Sequence, residues 1–296
     1  MAFDPISSKQ SLLRELDAGW TLFDSIYDTF TPAQWARKFG KTWTYADQPY
    51  HLAYFDQMIT KALREGSNAP ADRMRLRTVG DMHEWNRREF ARRPAGQTVE
   101  DSLRQMRESR EALRKQIAGM SEAQLQDHAW MPLLFGWGPA WGVAQAAVVH
   151  NVAEYWKLWI RTGQKTPAPS PDAVHVRLDF MMRFMPVAMN KELAARTPFT
   201  AVWNFTGPGG GAWTFRVRGA QCRVSEELAS PADVMLTMKP ETFHKIVAKM
   251  TAPPLLMLTG QMKVKGLGKM GTFGKLFPEP KPDQILEPAA AGMVVG

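Results

Sequence analysis

Apolar positions recur at helical spacing through the first half of the chain. Leu12, Leu13, Leu16, Trp20, Phe23, Ile26, Tyr27 and Phe30 make a wide stripe, which predicts a helix over 7–30 capped by Ser7 or Ser8. Thr31-Pro32 opens a short helical turn to Trp35. A second helix is predicted from Tyr45 to Leu63, with Leu52, Phe55, Met58, Ile59 and Leu63 on its apolar face and His51 at the head of that face. Residues 64–78 are polar and basic and read as a loop, and 79–93 as a helical piece holding His83, Trp85 and Phe90. A third clear helix starts at Thr98, with Asp101 completing a capping-box-like start, and runs to Gly119. The segment His128–Gly142, with its Trp, Pro and Gly residues, reads as a loop. Val143, Ala147, His150 and Glu154 then lie one below another on a fourth helix, from Ala140 to Thr162. Four long striped helices predict an all-α up-down bundle over 1–164.

The pattern then changes. Lys165–Asp172, KTPAPSPD, is the clearest linker. After a Met- and Phe-rich helix interrupted at Pro186, period-two alternation predicts strands over Phe199–Thr206, Trp213–Arg218 and Gln221–Glu226, with Gly-rich turns between them. From Ala232 to Phe277 the chain reads as a short strand at Val234–Met238, an apolar helix opened by Pro240, an apolar run at 253–258, a strand at Met262–Lys265 and a last amphipathic segment. These elements predict an α+β domain over 173–280, an antiparallel-rich sheet covered by helices on one face, followed by a loose tail at 281–296. Its apolar faces (178–185, 243–250, 255–258 and 267–277) outnumber what one small sheet can bury.

Composition narrows the classes. Two domains suit 296 residues, and 45% hydrophobic content supports real cores. The formal charge of +8 is spread out. It permits weak attraction to anionic membranes or acidic ligands and gives no indication of nucleic-acid binding. The single Cys222 excludes an internal disulfide and a thiolate metal cage. Neither a leader-like apolar stretch at the N-terminus nor a run of membrane-spanning length is present, so a reduced, cytoplasmic protein is expected.

Three residues stand out chemically. His150 and Glu154, four apart, project the same way from one helix, and His51 heads the core face of another. Two imidazoles and a carboxylate meeting inside a bundle would suit a divalent metal such as zinc or nickel, with open positions. The plainer reading is a buried His–Glu pair, or a histidine satisfied by a backbone carbonyl. Asp47 and Tyr54 flank His51 as supporting groups. Gly207–Gly211 lacks any phosphate-loop pattern and reads as a hairpin turn. His83, His128, His175 and His244 read as surface or satisfied histidines, and Cys222 as a small core residue. Trp130, Trp137 and Trp141 read equally as a lid over a pocket at the bundle end or as an interdomain contact.

Two resemblances add to this. The segments FTAVWNFTGPGGGAWTFRVRGAQCRVSEE, ADVMLTMKPETFHKIVAK and LTGQMKVKGLGKMGTFGKLF resemble the sterol carrier protein type 2 (SCP-2) lipid-binding domain over 170–277. That likeness implies a five-stranded sheet with helices enclosing a tunnel for fatty acyl chains, sterols or similar molecules. Phe205, Phe215, Met238, Phe243, Ile246, Met250, Met257, Met262, Met270 and Phe273 are its implied lining. Residues 8–163 resemble the DinB-like (YfiT-like) bundle, through WTYADQPYHLAYFD and VAQAAVVHNVAEYWKLWI. The last helix of that family usually carries His-x-x-x-His, and here Glu154 stands second. The mycothiol-dependent maleylpyruvate isomerase group also uses two His and a Glu, with the carboxylate before the histidine, the reverse of the order here. It too joins such a bundle to a sterol-carrier-related domain. The resemblances therefore imply a binder of lipid or another apolar molecule, with a metal-dependent thiol transferase or isomerase using His51, His150 and Glu154 as the alternative. A third reading is an inactive two-domain binding protein. The ligand, the thiol and the oligomeric state, a dimer being one option, stay open.

Overall fold

The computed structural model describes residues 6–39, 43–69, 76–131, 136–163 and 166–286. The N-terminal half contains α1 (Lys9–Tyr27), α2 (Pro32–Trp35), α3 (Gln48–Glu65), α4 (Val79–Ala91), α5 (Val99–Gly119) and α6 (Glu122–Gln126). A hairpin of β1 (His128–Met131) and β2 (Gly136–Pro139) then leads into α7 (Ala140–Arg161). Side-chain caps begin the helices where Ser or Thr stands: Ser8 for α1, Thr78 for α4 and Thr98 for α5. The principal packing pairs are α3 with α5, α1 with α7, α3 with α7 and α1 with α5, so the ring runs α1, α5, α3, α7. The connections over 28–47 and 120–139 are long enough to cross this ring.

The second half contains α8 (Pro171–Phe184), α9 (Lys191–Arg196), β3 (Phe199–Phe205), β4 (Gly211–Arg218), β5 (Gln221–Glu226) and β6 (Val234–Met238). There follow α10 (Pro240–Val247), α11 (Pro253–Leu258), β7 (Met262–Lys265) and α12 (Met270–Leu276). The five-stranded sheet has the order β5-β4-β3-β6-β7, antiparallel except for β3 beside β6. Trp213, Phe215 and Val217 of β4 are fully buried, as the period-two alternation requires.

Four expectations change. The Trp-rich loop is a paired hairpin, Trp130 opposite Trp137 in register, with 132–135 outside the described residues. The apolar run at 253–258 is helical, its two prolines occupying the first turn where a missing N–H matters least. The linker is tied down: Tyr155 donates to the carbonyl of Pro167 at 2.8 Å, and the Trp159 indole to that of Thr166 at 2.6 Å. The tail is docked as far as Leu286, because that side chain is buried against Val187, Ala188 and Phe184 of the second domain and Val79 and Met82 of α4. Two backbone bonds of 2.8 Å fix it, Gly80 N–H to Pro282 O and Leu286 N–H to Arg77 O. One apolar cluster runs through both halves, from Leu12 and Trp156 to Phe215 and Phe273.

Candidate functional site

Helices α3 and α7 pack together and carry the three singled-out residues to one point. The potential ligand atoms of His51, His150 and Glu154 all lie within 4.8 Å of one another, and the two Nε2 atoms are 3.0 Å apart. Tyr54 donates its hydroxyl hydrogen to Asn86 Oδ1 at 2.7 Å, so it accepts from Nδ1–H of His51. That leaves the Nε2 lone pair of His51 directed at the site. Phe55 stacks on the His150 ring, centroids 3.7 Å apart, and Trp43 leans on His51.

Burial sets the protonation states. It lowers His51 to about 4, with Glu154 opposing and Lys157 assisting. Burial and the neighbouring His51 push His150 well below the usual histidine value. Burial would raise Glu154, but Lys157, His51 and His150 outweigh it and hold the carboxyl at about 2. At neutral pH the group is therefore two neutral imidazoles and one carboxylate, the donor set a divalent cation takes. Lys157 pairs with Glu154 Oε1, while Oε2 is buried without a hydrogen-bond partner. That orphaned oxygen beside two imidazoles fits a metal ion better than a closed His–Glu pair.

The site opens into a cleft of about 970 Å³. Trp43, Phe55, Trp85 and Phe90 give it apolar walls, and Arg87, Arg93 and Lys157 give it cationic ones. Most of one wall is α4. Asp47 lines the cleft too, but it binds Arg93 at 2.9 Å and accepts from the Thr44 backbone N–H at 2.7 Å rather than from His51. Trp43, Trp85 and Asn86 were not anticipated as site residues. The available signal was α4 itself, which carries Trp85 and Phe90 among polar and charged residues with no long apolar stripe to bury them.

Of the proposed lid residues, Trp130 on β1 is buried and Trp141 at the start of α7 is half-buried, and neither lines the cleft. Trp137 lies on β2. His83 is exposed at the cleft wall, and His128 is exposed on β1. His175 is buried and pairs with Glu226 at 3.2 Å. His244 is neither on the surface nor satisfied. It is buried against Trp156 of α7, its Nε2 has no partner, and burial lowers it to about 3.

In the second domain, Phe205, Phe215, Met238, Phe243, Met262 and Phe273 share the apolar cluster, with Ile246, Met257 and Met270 packed against it. The rings of Phe205 and Phe243 lie 5.2 Å apart. Met250 is half-buried.

Residues 15–157 match the family model of the DinB superfamily, and residues 186–277 that of the SCP-2 sterol transfer family. The chain is a DinB-superfamily bundle joined to an SCP-2-family domain. Two crystal structures of the mycothiol-dependent maleylpyruvate isomerase, one of a point mutant, align over 93% of this chain and 96% of theirs. Identity is 12%, and the TM-scores are 0.54 for the mutant and 0.52 for the other. This likeness shows a shared fold that extends across both domains, the DinB bundle included. Sterol carrier protein 2 from Yarrowia lipolytica, in its apo form, aligns at 19% identity over 35% of this chain and 91% of its own, with a TM-score of 0.28, too low to bear on the fold. Among curated proteins none matches. No helix among the described residues is long and apolar enough to cross a membrane.

Proposed function

We propose that the chain binds a lipid or another apolar small molecule in its SCP-2-family domain. The match over 186–277 carries this reading. In support, the implied lining residues converge on one apolar cluster. Its methionines are unbranched and adaptable, so they can repack around a ligand at little strain. Native mass spectrometry with lipid extraction is the test, followed by titration with a fluorescent fatty acid. A co-purifying or titrating ligand is expected, weakened in Phe243→Ala. Absence of both ends the reading.

A second reading rests on the His51–His150–Glu154 geometry at the floor of the cleft. We infer that these residues hold a divalent metal, zinc or nickel, in a thiol transferase or isomerase acting on an apolar electrophile; the structural neighbour is named a mycothiol-dependent isomerase. Such an ion would supply Lewis acidity, lowering the pKa of a thiol or water bound to it. The chain's own residues do the rest. Tyr54 and Asn86 fix the His51 tautomer, and Phe55 holds the His150 ring flat. Trp43, Trp85 and Phe90 exclude water from an apolar substrate. Arg87, Arg93 and Lys157 favour a negatively charged group on the substrate or the thiol. Metal analysis decides. Stoichiometric metal is expected in the wild type and none in His150→Ala. A reconstituted wild type without metal leaves only the binding function.

A further inference from the structure

Glu154 and Lys157 stand three residues apart on α7, a spacing that makes their side chains neighbours on one face of the helix. The ammonium of Lys157 bonds Oε1 of Glu154. Oε2 of the same carboxylate is buried and has no partner among the described residues. The two oxygens are therefore not equivalent. One is committed to a cation of the chain itself, and the other is left to accept. Both residues line the cleft, and the lysine side chain is 33% exposed.

Neutralising a buried carboxylate accounts for a lysine near Glu154. It does not account for the division between the oxygens. An ammonium shared by both would neutralise the charge as well and would orphan neither. The division has a chemical meaning. A carboxylate with both oxygens open can close on a cation through the two together, whereas one oxygen held by an ammonium leaves a single donor. The group then supplies one nitrogen from each of His51 and His150 and one oxygen from Glu154. Three protein donors are the count of zinc sites that keep a position for water or substrate. A fourth donor, from a two-oxygen Glu154, would fill that position.

We propose that Lys157 is a positioning residue that limits Glu154 to one metal-binding oxygen and so keeps a coordination position open. The inference rests on the metal reading above and goes beyond it, because it assigns a role to a side chain that is itself no ligand.

The test is the visible spectrum of the full chain loaded with cobalt(II), whose bands are intense for a four-coordinate ion and weaken as ligands are added. Cobalt uptake is measured separately by equilibrium dialysis, and circular dichroism checks the fold of each variant. The wild type is expected to take up cobalt and to give intense bands. Lys157→Met, which keeps an unbranched stem without a donor, should bind cobalt but lose intensity as Glu154 closes through both oxygens. Lys157→Arg restores a cationic donor and should recover the wild-type spectrum. A wild type that takes up no cobalt ends the metal reading and this proposal with it. Weak bands in the wild type overturn the proposal alone, whether or not Lys157→Met folds. Identical spectra for wild type and Lys157→Met overturn it too, leaving Lys157 as a neutralising charge. It also falls if Lys157→Arg stays weak, or if folded Lys157→Met binds no cobalt, since the lysine would then be needed for binding itself.

Discussion

His51 can offer Nε2 to the site because its other nitrogen is already committed to Tyr54, which Asn86 orients in turn. Tyr54→Phe should therefore keep the fold but weaken metal affinity about 10–100-fold in competition titrations against a chelator. Asp56, on the same helix and buried with Oδ2 unpartnered, tests the electrostatics of the bundle core. Burial raises it to about 7 from an ordinary 3.8, Arg110 pulling the other way. A folded value above the unfolded one means that the stability it contributes is complete below about pH 4 and is lost as pH rises through about 7. Denaturant titrations across this window should show the wild type losing up to about 4 kcal/mol relative to Asp56→Asn, at ~1.4 kcal/mol per pH unit. Two of the three candidate ligands could be read in advance because helical spacing aligns His150 with Glu154, and His51 because it heads the apolar face of another helix. Asn86 could not, because its role exists only through Tyr54, 32 residues away.

The elements were legible wherever one periodicity ruled. Strands β4 to β7 alternate, and α1, α3, α5 and α7 carry apolar stripes. Legibility failed where punctuation residues crowd a short element. Pro253 and Pro254 left α11 legible only as an apolar run, and Trp, Gly and Pro together masked the β1–β2 hairpin. Gly266, after β7, shows how tightly one junction is specified. Its φ is +78°, and a Cβ there would stand 1.9 Å from the Asp233 carbonyl oxygen. Gly266→Ala should lower unfolding free energy by about 2–4 kcal/mol in a denaturant melt. Gly219, also at positive φ but with open space around it, should lose about 1 kcal/mol when changed to Ala.

At the scale of the whole molecule, the resemblances and the composition anticipated two domains, but not how closely they join. The Trp156–His244 contact and the docked 282–286 segment both depend on residues far apart in sequence, which no local pattern reports. Gly80 marks one of these contacts, since a Cβ there would meet the Pro282 carbonyl oxygen at 2.9 Å. A chain ending before Pro282 should exchange the amide hydrogens of 79–91 at least tenfold faster by mass spectrometry, for each ~1.4 kcal/mol of local stability removed. The end of the second domain is thus a clasp on the wall of the first domain's cleft. A molecule that tightens the second domain would stiffen that wall, and an occupant of the cleft would, by the same amount, favour the closed clasp. The two halves are then coupled in free energy through the docked 282–286 segment.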